Sequence, residues 1–187
     1  MTSRRTKYVP NFLTVLRFLL APLSIFFLID DWRYVALLVF VLASITDFLD
    51  GFFARRYDAV SKIGSFLDPL ADKFLVVGMF ASFFYLNEIV DIYILSMVVF
   101  RDVFVTLLRV IMQANGKTMI TSKLSKMKTT IQIIVIILLF LNQPYFIVPE
   151  TTLYYLALSM SLLTLYTGFH YLFYNFRQLM TLLVYEP

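Results

Sequence analysis

The sequence predicts an all-α polytopic membrane protein: six transmembrane helices forming one domain over residues 1–187, with a polar cavity facing the cytoplasm. Three observations predict it. Hydrophobic residues make up 60% of the chain and mean hydropathy is +0.82, values of chains that sit in lipid rather than of soluble domains. Short polar turns divide the chain into six largely apolar segments of about 20 residues, the length that crosses a hydrocarbon core. Basic residues fall almost wholly on one side of the resulting topology.

Residues 1–10 form a basic segment with Arg4, Arg5 and Lys7, expected on the cytoplasmic side. The apolar run from Phe12 to Leu28 is too long for a signal peptide, and Arg17 interrupts it with no small-residue cleavage site following. The first helix is therefore placed at 11–30. Asn11, Thr14 and Arg17 recur every three residues along its start, and Pro22 follows within the span. Two readings stay open there: a polar face turned inward, or Asn11 as a helix cap with Arg17 snorkelling to headgroups.

After the turn Asp30, Asp31, Trp32 and Arg33, the second helix is expected at about 34–56 and the third at about 63–86. Pro69 lies inside the third helix, removes a hydrogen bond to the Ser65 carbonyl and predicts a kink. Asn87, Glu88 and Asp91 mark the next turn. The fourth helix, about 91–114, carries Arg101, Asp102 and Arg109, with Arg101, Val105 and Arg109 on one face. A segment with Lys117, Lys123, Lys126 and Lys128 precedes the fifth helix, continuously apolar from Ile133 to Leu141. A turn with two prolines leads to the sixth helix at about 151–176.

With both termini cytoplasmic, that side holds eleven basic residues in these segments and the opposite side only Arg33. The lysines of the fourth-to-fifth connection are accounted for by this rule alone, before any binding role. The chain has no cysteine, which excludes a disulfide framework and a thiolate metal site. No long repeat or linker is present, and nothing points to a nucleic-acid partner. His170 reads as an interfacial residue, and the many Phe and Tyr side chains as packing groups and interfacial anchors.

The stretch Asp47–Asp72, DFLDGFFARRYDAVSKIGSFLDPLAD, places carboxylates where hydrocarbon is expected. Asp47, Asp50, Gly51, Ala54 and Arg55 stand at offsets that share one helical face. Gly64, Asp68 and Asp72, spaced by four, share another. Facing each other, the two would gather four carboxylates about one point, and charges so close need a cation. An all-oxygen donor set suits Mg²⁺, Mn²⁺ or Ca²⁺ far better than zinc, and two bridged ions would clamp a phosphoryl group for in-line displacement. Arg55 could add a forked phosphate contact.

Depth supports convergence. Asp47, Asp72 and Arg109 each lie eight residues from the cytoplasmic ends of their helices, about 12 Å at 1.5 Å per residue. Each aspartate facing lipid at that level would cost about 2.5–3.5 kcal/mol, so a hydrated, metal-loaded cavity is expected. Lys73 adjoins Asp72 but points about 100° away, which predicts a structural ion pair with a carboxylate of the fourth helix.

Written as Asp47-x2-Asp50-Gly51-x2-Ala54-Arg55-x8-Gly64-x3-Asp68-x3-Asp72, the stretch resembles the signature of the CDP-alcohol phosphotransferases at every defined position. The resemblance implies an integral membrane enzyme that splits a CDP-linked lipid, passes its phosphatidyl group to an alcohol and releases CMP. It implies Asp47, Asp50, Asp68 and Asp72 as ligands of Mg²⁺ or Mn²⁺, two ions in all, with Asp72 also the general base. It implies contacts of Asn11, Thr14, Gly51, Ala54, Arg55 and Gly64 with the CDP-lipid, a homodimer, and a bacterial inner-membrane location with the site facing the cytoplasm.

Outside the signature, the opening Asn11 to Pro22, RDVFVTLLR at Arg101–Arg109, SKMKTT at Ser125–Thr130 and TGFHYLFYNFR at Thr167–Arg177 resemble the family's glycerol-phosphate branch. Its substrates are CDP-diacylglycerol and sn-glycerol 3-phosphate. Arg101, Arg109, Lys117, Lys126 and Lys128 offer more positive charge than a CDP-lipid needs, and would hold the acceptor phosphate. Where other members have Glu after the first arginine of the fourth helix, this chain has Asp102. Alternatives are another acceptor, such as phosphatidylglycerol or inositol phosphate, and, outside the family, a cation transporter.

Overall fold

The structure, a computed structural model, describes the backbone of residues 9–57, 62–115, 123–143 and 147–183, and side chains within 15–46, 73–112, 127–143 and 147–176 together with 115 and 180. The described residues form six helices and no strands: α1 Val9–Ile29, α2 Arg33–Tyr57, α3 Lys62–Tyr85, α4 Ile92–Ala114, α5 Lys123–Asn142 and α6 Glu150–Leu183. Their order follows the expected spans and most bounds agree to within a few residues, with two differences: α5 begins at Lys123, so that Lys123, Lys126 and Lys128 lie within the helix instead of preceding it, and α6 continues seven residues past 176. No helix breaker occurs between Arg177 and Leu183, so the helical ladder has no reason to stop there.

By length and composition, one described stretch, Glu150–Phe176, is long and apolar enough to cross a membrane. Val15–Ile29, Arg33–Thr46, Lys73–Tyr85 and Met127–Asn142 are shorter apolar stretches within longer helices. The interior is packed around aromatic and aliphatic side chains. Phe140 of α5 meets Phe83 of α3 edge-on at 5.1 Å between ring centroids and Phe40 of α2 at 6.0 Å. Met79, Phe80, Ile94, Val98, Ile136 and Leu139 complete this core. α1 packs on α2 and α3, and α6 on α4 and α5. Ser24 of α1, fully buried, donates to the Ala36 carbonyl of α2 at 2.9 Å.

Polar side chains fix the helix connections, and two of these are tied together. Arg33, after the α1–α2 turn, makes a two-pronged contact with Glu88 in the α3–α4 turn, Nη1 donating to Oε2 at 3.1 Å. Asp91 caps α4 by accepting from the Ile94 amide at 2.8 Å, and its other oxygen accepts from Tyr154 of α6 at 2.9 Å. Asn142 closes the α5–α6 connection, its Oδ1 accepting from the Val148 amide at 2.8 Å. Asp31 and Asn87 adopt the left-handed backbone that ends helices.

Besides this apolar core, large apolar side chains are exposed and several charged and polar ones are buried. Leu19, Phe26, Leu38, Tyr85, Leu107 and Phe173 are exposed, whereas Arg17, Arg101, Asp102, Lys128, Gln132, Thr164, Thr167 and Asn175 are buried. Arg17 is 1% exposed. Its side chain is therefore turned into the protein, which favours the inward polar face over snorkelling.

Candidate functional site

Among the described residues, the buried Arg101 and Lys128 and the partly buried Lys73 meet at Asp102. Lys73 of α3 approaches its Oδ2 at 3.4 Å, Arg101 of α4 donates from Nη1 to Oδ1 at 2.8 Å, and the Lys128 ammonium of α5 also donates to Oδ1. Asp102, Lys128 and Arg101 are 2%, 2% and 3% exposed, and the Lys73 side chain 25%. Three helices thus send a cation to one carboxylate. The pairing expected between Lys73 and a carboxylate of the fourth helix is present.

Local sequence explains how the node assembles. Arg101 and Asp102 follow one another on α4, and the next residue along α6 to leave room is Gly168: a Cβ there would lie 2.8 Å from Arg101 Cγ and 3.8 Å from its Cβ. Glycine therefore lets α6 pass directly over the root of the arginine side chain. Polar residues on the same helix make local bonds to its backbone. Thr167 donates to the Thr164 carbonyl at 2.7 Å, and Asn175 to the Tyr171 carbonyl at 2.9 Å.

Charges taken from water in this way are stabilised only by close opposite charge and hydrogen bonds. Among the described residues the node holds three cations and one carboxylate. Lys128 uses one of its three N–H donors on Asp102, leaving the ammonium with further donors in a buried place.

Of the expected acceptor-phosphate residues, Arg101 and Lys128 are brought together on Asp102. Arg109 is half-buried two turns further along α4. The backbones of α2 and α3 run as uninterrupted helices through Asp47, Asp50, Asp68 and Asp72, so the spacings that predict shared faces are present in helical form. The side chains of these four, and of Asn11, Thr14, Gly51, Ala54, Arg55, Gly64, Pro69 and Lys126, lie outside the described residues, as does Lys117. Among the described residues, no group of three or more acidic or histidine side chains could hold a metal ion.

His170 is half-buried between Tyr166 and Tyr174, stacked on the latter at 6.2 Å. A polar residue that escapes the sequence reading is Gln132 of α5, 1% exposed, with no hydrogen-bond partner on either amide atom among the described residues. Its signal is its place four residues after Lys128, at the threshold of the apolar run that begins at Ile133.

Comparison with known proteins gives this constellation a context. A family model described as CDP-alcohol phosphatidyltransferase matches residues 7–168. A Cereibacter sphaeroides protein named CDP-diacylglycerol–glycerol-3-phosphate 3-phosphatidyltransferase is 41% identical over 143 residues, covering 72% of this chain and 63% of that relative. A Rickettsia prowazekii protein of the same name is 36% identical over 142 residues, covering 74% of this chain and 78% of its own. One from Bacillus subtilis is 29% identical over 189 residues, covering 92% and 97%.

Proposed function

This chain belongs to the CDP-alcohol phosphatidyltransferase family, and from that premise we propose that it transfers the phosphatidyl group of CDP-diacylglycerol to sn-glycerol 3-phosphate, giving phosphatidylglycerophosphate and CMP. The relatives' shared name supports the substrate pair. The observation that carries the choice of a phosphorylated acceptor is the buried Lys128 ammonium beside Arg101. A neutral alcohol would leave that positive charge without use, whereas a phosphate monoester complements it.

The six helices span the bacterial inner membrane, with both termini and the site on the cytoplasmic side. Apolar side chains exposed on the outside, with charged and polar side chains buried within, support this arrangement. Asp47, Asp50, Asp68 and Asp72 would hold divalent metal, two ions of Mg²⁺ or Mn²⁺, and their all-carboxylate chemistry fits such hard cations. Bound there, the metal supplies neutralisation of diphosphate charge.

Asn11, Thr14, Gly51, Ala54, Arg55 and Gly64 bind the CDP-lipid, the small residues permitting close approach of the nucleotide. Lys128 and Arg101, oriented by Asp102, hold the acceptor phosphate with Arg109, Lys117 and Lys126. Asp72 takes the proton of the acceptor hydroxyl as its oxygen attacks the lipid-side phosphorus. The bond from that phosphorus to the bridging oxygen breaks, and CMP leaves with the electron pair. The working unit is a homodimer.

The test is CMP release by purified protein given CDP-diacylglycerol with glycerol 3-phosphate, phosphatidylglycerol or inositol phosphate in parallel. Glycerol 3-phosphate is expected to be the acceptor used. Release with either other alcohol and none with glycerol 3-phosphate would overturn the assignment.

A further inference from the structure

Among the buried side-chain amides described, Gln132 is in a distinct position. Asn142 accepts from the Val148 amide and Asn175 donates to the Tyr171 carbonyl, so each has one bond. Gln132, 1% exposed, has no partner on Oε1 or on Nε2. Burying an amide without hydrogen bonds is unfavourable, and a leucine or methionine of similar volume would avoid the penalty. Both a donor and an acceptor of this amide are open to a group that brings one of each.

Its neighbour indicates what arrives. α5 is continuous from Lys123 to Asn142, so Gln132 stands one turn beyond Lys128 on the same face, about 6 Å away along the axis. Lys128 is buried too, and its ammonium is suited to an anion. A ligand lying along this face would meet a cation at one end and an amide at the other. A hydroxyl can donate to the amide oxygen and accept from the amide nitrogen. A phosphate monoester with a hydroxyl a few bonds away has the right length and chemistry for both.

We infer that Gln132 is a specificity-determining residue, reading the non-reacting hydroxyl of the phosphorylated acceptor whose phosphate is held at Lys128. The inference rests on the transfer proposed above. It adds a recognition role for a residue that takes no part in the displacement itself. Sites that hydrogen-bond a substrate hydroxyl reject analogues lacking it far more strongly than apolar pockets do, because the buried polar group is then left unpaired.

The experiment compares sn-glycerol 3-phosphate with 3-hydroxypropyl phosphate, which keeps the phosphate and a primary hydroxyl but lacks the middle one. The wild-type enzyme is expected to favour glycerol 3-phosphate by about a hundredfold or more in kcat/KM. Gln132→Leu should reduce that ratio by about tenfold or more, leave the KM for CDP-diacylglycerol unchanged, and unfold at the wild-type temperature or above.

A wild-type ratio retained in an active Gln132→Leu protein would overturn the inference while leaving the transfer reaction intact. So would loss of folding in both Gln132→Leu and Gln132→Met, since the amide would then be structural. Absence of CMP release by the wild-type protein with glycerol 3-phosphate would instead defeat the proposed transfer, and the recognition role with it.

Discussion

Lys73 Nζ lies 3.4 Å from Asp102 Oδ2, a contact that joins α3 to α4 immediately beside the helix position of Asp72. Asp102 also receives Arg101 and Lys128, so one carboxylate fixes the relative placement of three helices. Removing it would take the shared carboxylate from the buried Lys128 and Arg101, and breaking a buried pair in this way destabilises by about 3–5 kcal/mol. Asp102→Ala should therefore lower the thermal unfolding midpoint markedly in detergent. Lys73→Met should do so much less, because that side chain is a quarter exposed. Equal effects of the two would contradict Asp102 as the shared centre.

Gly168 makes a second prediction. An alanine methyl at this position would stand 2.8 Å from Arg101 Cγ, near the root of the side chain, so relief requires moving the arginine or the helix. Such overpacking costs about 1–3 kcal/mol. Gly168→Ala should raise the KM for glycerol 3-phosphate several-fold while the KM for CDP-diacylglycerol holds. A matching rise in both would place the effect in global packing instead.

At the opposite end of the bundle, Arg33 and Glu88 form a partly buried two-pronged pair across two turns. Paired in this geometry, they should couple by about 1–2 kcal/mol. A double-mutant cycle of Arg33→Met and Glu88→Gln, read by thermal unfolding, measures it. Turnover should be unaffected in any variant that remains folded, since these residues stand away from the Asp102 node.

What could be read from the sequence divides along physical lines. Helix order and most bounds were legible because apolar runs and polar turns alternate, whereas the start of α5 at Lys123 was not, since its first turns are lysine-rich; the Lys73 pairing followed from the roughly 100° step between neighbouring helical residues. The identity of its partner was not, since several helix-four positions satisfy that step and only packing selects Asp102. Arg101 and Lys128 were legible as surplus positive charge, but not as donors to one shared carboxylate on a third position. Gln132 was hidden because a single polar residue at the edge of an apolar run has no periodicity of its own. Gly168 was silent for a related reason: its meaning lies in the side chain opposite, not in its own helix.

Chelation supplies a prediction for the aspartates as a set. A hard-cation site of carboxylates should lose its metal to EDTA, abolishing CMP release, and recover with Mg²⁺ or Mn²⁺. Activity persisting after exhaustive chelation would count against metal at Asp47, Asp50, Asp68 and Asp72.

Asp72 separates the base from the ligand set. Asp72→Asn keeps the volume and a metal-binding oxygen but cannot take a proton, so it tests proton transfer more than folding. The fold should survive, with unfolding temperature near wild type. Turnover should fall by about 10²–10⁴, the range associated with loss of a positioned general base. Because Lys73 is directed to Asp102, its ammonium is engaged elsewhere and is a poor candidate for replacing the lost base. Lys73→Met combined with Asp72→Asn should therefore show the residual activity of Asp72→Asn alone, once corrected for the folded fraction. Near-normal turnover by purified Asp72→Asn would remove Asp72 from the proton-transfer step and shift the search for a base to Asp47, Asp50 and Asp68.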